Sequence, residues 1–354
     1  MQRIERVNPN VSLILDDIDR LYTYLSEEPS KSLFPISFDY SFENLVDTFK
    51  NSTYYDWGIN YSKKEYSPIT PINNDNIILA FSGGKDSIAS ALKYREQGYN
   101  VYLYHMKHIN PSFADEWKCA EESASILGMP IFFDDIKFFG HHMYMEHPMK
   151  NMIIANGALS YGVREGIATN IAFGNYTSSF LADNPFDRCA GDCMDMWNNY
   201  NSIIERVLPD FRIQANLANM GDTLDTLKDS PNLLNTSLSC LCRHSLRDYR
   251  RQWVKDKFGV ELFQKRCGSC YKCCVEYIYM ADNDKVPFNK EYYKYCLGQL
   301  CKVMQAEGLS SVRVSDIWDT YMFYDLNKSK MRDEILTTKV WKYKIRWRRE
   351  TGAT

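Results

Sequence analysis

The hexapeptide Ser82-Gly83-Gly84-Lys85-Asp86-Ser87 restricts what this chain can fold into more than any other segment does. It is preceded by Asn76-Ile77-Ile78-Leu79-Ala80-Phe81, a nearly all-apolar run with the pattern of a parallel strand covered on both faces. It is followed by a helical stretch, Ile88 to Gln97, closed by Gly98. Two glycines at a strand-to-helix junction allow a tight turn and let successive N–H groups approach an anion without an intervening Cβ. The helix amino end adds a positive dipole end. Lys85 brings a positive charge, and Ser82 and Ser87 bring hydroxyl donors. Asp86 suits Mg²⁺ coordination or orientation of the loop. A plain turn with a serine N-cap would need none of this combination. The spacing of a Walker A motif, GxxxxGK[ST], is absent.

Strand and helix patterns continue to alternate downstream. Asn100 to Tyr104 reads as a second strand, Asp115 to Leu127 as a helix ended by Gly128, and Pro130 to Phe133 as a third strand. Thr169 to Phe173, ended by Gly174, and Phe211 to Ala215 read as two more. This order predicts right-handed βαβ units and an α/β fold with a doubly wound parallel sheet. Ligands of such sheets bind outside the carboxyl ends of the strands, where the Ser82–Ser87 loop lies.

A second chemistry is written in cysteine. The chain has 11 cysteines in 354 residues, an odd number, and nothing about it suggests a disulfide framework. Cys267-Gly268-Ser269-Cys270-Tyr271-Lys272-Cys273 is a CxxCxxC knuckle, in which a glycine-containing turn can point three thiolates at one ion. Cys274, next in line, projects elsewhere. Cys240 and Cys242 are the candidates for a fourth ligand, with His244 a weaker one. Zn²⁺ suits four sulfurs, and an iron–sulfur cluster is the alternative. Cys296 and Cys301 read as core residues.

The loop looks like the PP-loop of the ATP pyrophosphatase superfamily, whose signature SGGxDS is matched at every fixed position. Loop and knuckle together resemble the 7-cyano-7-deazaguanine synthase (QueC) family of queuosine biosynthesis, over roughly residues 76 to 280. Pro148-Met149-Lys150-Asn151 resembles the family's P-x-R-N segment, with Lys for Arg. Ile171-Ala172-Phe173-Gly174 resembles its following strand and glycine. Phe186-Asp187-Arg188-Cys189 resembles a shuffled Tyr-Pro-Asp-Cys-Arg region, and Thr236-Ser237-Leu238-Ser239-Cys240 the segment ending in the first zinc cysteine. The chain departs from the family where Cys240 lies 27 positions before Cys267, with a basic insertion carrying Arg243, Arg247, Arg250 and Arg251 between them.

The resemblance implies a HUP-like fold (the adenine nucleotide alpha hydrolase type), with ATP, Mg²⁺ and Zn²⁺ as cofactors. The implied reaction adenylates a carboxylate, releasing pyrophosphate and then AMP, on 7-carboxy-7-deazaguanine or a related acceptor. Ser82, Gly83, Gly84, Lys85, Asp86, Ser87 and Gly174 would meet the nucleotide, with Lys85 and Asp86 catalytic. Lys150, Asn151 and Asp187 would lie near the substrate, and Cys240, Cys267, Cys270 and Cys273 would hold the metal, Cys240 being preferred over Cys242 on this resemblance. Two other readings stay open: a PP-loop tRNA thiolase, and a non-catalytic ATP-binding subunit of a modification or anti-phage defence complex.

The expected organisation is an N-terminal extension and linker (1–75), the nucleotide domain (76–235), the cysteine region (236–280) and a C-terminal extension (281–354). The extension contains a helical pattern, Val11 to Leu25. A net charge of −3 argues against a global field that recruits nucleic acid. The basic insertion and the alternating tail Lys339–Arg349, with Trp341, Tyr343, Ile345 and Trp347 on one face, are candidate surfaces for a nucleic-acid or protein partner. The acceptor would be a small deazapurine or a macromolecule, and an oligomer is open. No apolar run reaches membrane-spanning length, and the start lacks a signal-peptide pattern, so a cytoplasmic location without membrane contact is expected.

Overall fold

The computed structural model describes residues 70–106, 116–134, 150–176, 197, 201, 204–205, 208–218, 220–240, 242, 244–307 and 329–337. The helical pattern Val11 to Leu25, Asp187, Cys189, Arg243 and the alternating tail lie outside these residues. By packing, the chain divides into two compact units: Met1–Ser82 with Ser90–Leu217, and Gly83–Ala89 with Ala218–Thr354.

The first unit is built on an all-parallel five-stranded sheet of order β3-β2-β1-β4-β5. Its strands are β1 (Asn76–Ala80), β2 (Asn100–Met106), β3 (Ile131–Asp134), β4 (Ile171–Tyr176) and β5 (Gln214–Ala218). β1 is central, with Ile78 opposite both Tyr102 of β2 and Ile171 of β4. Every residue of β1 is buried, as its unbroken apolar run requires of a strand covered on both faces. The helices between strands are α1 (Lys85–Glu96), α2 (Glu116–Leu127) and α3 (Lys150–Arg164). At the start of β1, Asn76 donates through Nδ2 to the Ile167 carbonyl (2.8 Å) and accepts from Asn100 (3.0 Å), so its polar side chain is satisfied where it is buried.

Two features depart from the sequence pattern. The fifth strand begins at Gln214, three residues later than its apolar signal. Phe211 is buried from a turn instead, with its N–H donating to the Leu208 carbonyl (3.2 Å). Helix α3 is only faintly signalled, because Gly157 and Gly162 weaken it by propensity. Both glycines answer to packing: a Cβ on Gly162 would meet the Ala168 carbonyl and Ile78, and one on Gly157 would meet the Tyr104 hydroxyl.

The second unit includes the turn Gly83–Gly84 that leads into α1. It contains α4 (Met220–Leu227), α5 (Pro231–Thr236), α6 (His244–Phe258), α7 (Tyr271–Asp282), α8 (Lys290–Glu307) and α9 (Arg332–Thr337). α7 is buried along nearly its whole length and packs chiefly on α8. The basic insertion forms α6, and part of it is core. Trp253 and Phe258 stack among Tyr292 and Tyr295 of α8, and Arg247 is buried. No helix among the described residues is long and apolar enough to cross a membrane.

Candidate functional site

β1 runs into the loop at its carboxyl end, at the point where the strand order reverses between β2 and β4. Gly83 takes φ +70°, a conformation that costs an L side chain and that glycine adopts freely. The turn then enters α1 directly, so its first-turn N–H groups and positive dipole end face the loop. Ser87 donates its hydroxyl to the Gly84 carbonyl (3.0 Å) and tightens that turn.

Lys85 is buried, 1% exposed, and its ammonium lies 3.2 Å from a carboxylate oxygen of Asp86, which is 29% exposed. Burial is the largest influence on Lys85 and pulls its pKa below the ordinary lysine value. Asp86 and Glu276 oppose the shift, and Lys272 reinforces it. A buried lysine at the amino end of a helix concentrates positive charge where an anion would dock.

The knuckle lies in the same unit. Cys267 and Cys270 precede α7, and Cys273 sits in its first turn. Gly268 takes φ +70°, which allows the sharp reversal between the first two cysteines. The sulfurs of Cys240, Cys267, Cys270 and Cys273 lie within 4.8 Å of one another, a set that could hold a metal ion. Separations of 4.0 Å (Cys240 to Cys270), 3.9 Å (Cys267 to Cys273) and 3.4 Å (Cys270 to Cys273) bracket the ~3.8 Å edge of a tetrahedron with Zn–S bonds of about 2.3 Å. This spacing suits one ion shared by four thiolates better than a cubane cluster, in which each cysteine meets a different iron.

The Cys267 thiol is held far below its ordinary pKa, first by the Cys240 thiol, then by Cys270 and Cys273, with the backbone of Ser269 assisting. Backbone N–H groups of Ser269 (3.4 Å) and Cys270 (3.3 Å) both point at its sulfur. For Cys240, the Cys267 contact raises the pKa, but contacts to Cys270 and Cys273 outweigh it and the thiol falls to about 7. The same contacts, that to Cys240 first, push the Cys270 and Cys273 thiols well up, so without an ion the group favours the thiolate at Cys267 and Cys240 alone.

Cys242 stands outside the four-sulfur group; its N–H donates to the Cys240 sulfur (3.3 Å). Cys274 is buried with its thiol toward the Gly268 carbonyl (3.9 Å), and Cys296 is buried in α8.

A buried polar network surrounds the knuckle. Arg266 donates through Nε to Glu276 (2.7 Å), through Nη1 to the Ser237 carbonyl and through Nη2 to the Ser237 hydroxyl (2.9 Å). Both charged side chains are at most 3% exposed. Sequence reading missed this pair. The only available signal was a charged residue beside Cys267 and another inside the otherwise apolar stretch Cys273–Ala281. Two arginines of the insertion are engaged as well, Arg250 with the Ser269 hydroxyl (3.3 Å) and Arg251 with the Gln264 carbonyl and Asp248.

The remaining candidates are more dispersed. Lys150 and Asn151 open α3, and Gly174 lies within β4, all in the first unit.

No family model matches the chain, and no curated protein does. Among solved structures, the chain is similar to a predicted subunit of tRNA methyltransferase from Methanocaldococcus jannaschii. The two are 22% identical, the match covers 44% of this chain and 72% of the other, and the TM-score is 0.23.

Proposed function

We propose that this protein is an ATP-dependent ligase of the PP-loop, ATP pyrophosphatase type, with a HUP-like sheet, that adenylates a carboxylate. The observation that carries the reading is Lys85, a buried lysine at the amino end of α1, one residue past a glycine turn at the end of β1. An ammonium held there is costly to the fold and is useful chiefly to a bound anion. Gly83 and Gly84 leave the backbone open to phosphate oxygens, and Ser82 and Ser87 add hydroxyls.

In the proposed reaction a carboxylate oxygen attacks the α-phosphorus of ATP. The bond from that phosphorus to the bridging oxygen breaks, and its electron pair leaves on pyrophosphate. Lys85 and the α1 amino end stabilise the charge that develops there. Asp86 is the loop residue that would hold Mg²⁺, which supplies further charge neutralisation on the phosphates. With 7-carboxy-7-deazaguanine as acceptor, ammonia then attacks the acyl carbon, AMP leaves and a proton is lost, giving the amide. A second ATP activates the amide oxygen as pyrophosphate leaves, and that oxygen then departs with AMP while the nitrogen loses its two protons, leaving the nitrile. The four cysteines would hold Zn²⁺ in a structural role, because a closed set of four thiolates leaves no open position.

Mass spectrometry of the protein incubated with ATP, Mg²⁺, ammonium and 7-carboxy-7-deazaguanine tests this. AMP, pyrophosphate and the amide or nitrile base are expected, with turnover lost and metal retained in Lys85→Ala. ADP as the main nucleotide product would sink the reading. AMP without any change to the base would keep the adenylating loop and move the acceptor to another carboxylate.

A further inference from the structure

Helix α6 carries the cations Arg247, Arg250, Arg251, Lys255 and Lys257 against only Asp248 and Asp256, in a chain whose net charge is −3. Both acids are engaged, Asp248 with Arg251 (3.0 Å) and Asp256 as acceptor from Gln252 (2.7 Å), and Lys255 pairs with Glu261 (2.5 Å). Arg250 and Lys257 are exposed, and among the described residues neither has a carboxylate partner. Arg250 uses Nη1 on the neutral Ser269 hydroxyl, and the Lys257 ammonium lies 5.0 Å from the centre of the Trp253 ring. Arg247, three residues before Arg250, is 5% exposed, and among the described residues it has no hydrogen bond or ion pair. Of its nitrogens Nε alone is wholly enclosed, so the outer Nη ends are the donors that a ligand can reach. A guanidinium sunk this far without a counter-charge is costly, and an incoming anion relieves that cost.

The flank of α6 that carries Arg250 is also aromatic. Leu246, Tyr249, Arg250, Trp253 and Lys257 recur at the three- and four-residue steps that share a helix face. Tyr249 is 71% exposed and Leu246 47%, while Trp253 is half-buried, its ring 5.5 Å from that of Tyr295. Exposed rings interleaved with unpaired cations suit a polyanion that also presents flat faces. A single nucleic-acid strand has both features. A duplex hides its base faces in the stack, and an acidic protein segment would meet the cations but leave the rings unused. From Arg247 to Lys257 the helix rises about 15 Å, enough for a few nucleotides.

We propose that this flank of α6 binds a single-stranded nucleic acid, with phosphates meeting Arg247, Arg250 and Lys257 and a base stacking on Tyr249. The proposal does not depend on the phosphate loop or on adenylation.

Fluorescence anisotropy of the full chain with short labelled single strands, RNA and DNA of one mixed sequence, tests it, with the matching duplex and a glutamate-rich peptide as competitors. Saturable binding of at least one strand, weakening as salt rises, is expected. Tyr249→Ala, at an exposed position, should weaken binding roughly five- to hundred-fold, and Tyr249→Phe should keep it near the parent value. Lys257→Gln should make the slope of log affinity against log salt shallower by about 0.7. Absence of binding to either strand would overturn the proposal, as would undiminished binding by Tyr249→Ala or an unchanged salt slope in Lys257→Gln. Equal affinity for the duplex would also overturn it, and displacement of the strand by an equal concentration of the peptide would assign the flank to a protein instead.

Discussion

The backbone N–H of Leu238 donates to the carbonyl of Gly83 at 3.0 Å, tying the segment that ends in Cys240 to the turn that presents Lys85. One residue separates Leu238 from a candidate metal ligand, and one separates Gly83 from the buried lysine. Ser237, next to Leu238, is gripped by Arg266, which adjoins Cys267. The cysteine centre and the glycine turn are thus consecutive links of one hydrogen-bonded chain within the second unit. Rigidity at the cysteines is available to the loop.

Metal content should separate the two candidate fourth ligands. Cys240→Ser should lower bound zinc from about one per chain toward none, whereas Cys242→Ser should leave it near one. Elemental analysis of the purified variants reads this directly. Stripping the metal with a chelator should also speed hydrogen exchange at Gly83 to Ser87, because the Leu238 anchor loosens. Unchanged exchange in the metal-free protein would show that the loop is held independently.

Gly268→Ala should destabilise the second unit by roughly 2 to 4 kcal/mol, combining a left-handed backbone penalty with overpacking. The added Cβ would meet Leu262, the Tyr292 hydroxyl (2.8 Å) and Val254 (2.9 Å). A chemical denaturation midpoint lower than that of the parent protein is the expected outcome. An unshifted midpoint would mean that these neighbours can give way.

Lys85→Met should stabilise the ligand-free protein at neutral pH by on the order of 1 kcal/mol, since burial penalises the ammonium and Asp86 keeps partial solvent contact. The sign follows from the lowered folded-state pKa of Lys85, caused first by burial, with Asp86 and Glu276 opposing it and Lys272 adding to it. Between that pKa and the ordinary 10.5, the unfolded chain binds more protons than the folded one. Stability of the parent therefore rises with pH across that window, and the advantage of the variant should shrink there. Thermal melts of both proteins from pH 7 to 10 check the convergence; a gap that widened with pH would contradict it.

Arg266→Met and Glu276→Met should each cost about 3–5 kcal/mol, because each leaves a buried charge without its partner. The double variant should cost less than the sum of the two, having removed both charges. A double-mutant cycle in denaturant measures the coupling. Strict additivity would mean that the 2.7 Å contact carries no net pairing energy.

Much of the frame was legible because its signals are local. An apolar run of β1 length has to be a covered strand, a double glycine before a helix has to turn, and CxxCxxC has to bring three sulfurs to one side. The blurred parts have equally physical causes. Phe211 is apolar yet packs from a turn, so its hydrophobicity advertised a strand three residues too early. Gly157 and Gly162 are poor helix formers, tolerated because neighbours leave no space for a Cβ. The basic insertion reads as a free surface, but Arg247 is buried, and Arg250 and Arg251 brace the cysteine loop.

By itself, then, the sequence determined the alternation of strands and helices, the glycine turn carrying Lys85 and Asp86, and the three-cysteine knuckle, all of which are written in residues close together along the chain. The tertiary structure decided which cysteine joins the knuckle from 27 positions away, which charges are buried as a pair and which of the described arginines is buried without a partner. Those outcomes depend on how α6 folds the intervening chain back on itself, and spacing along a sequence does not encode a distance across a closed loop.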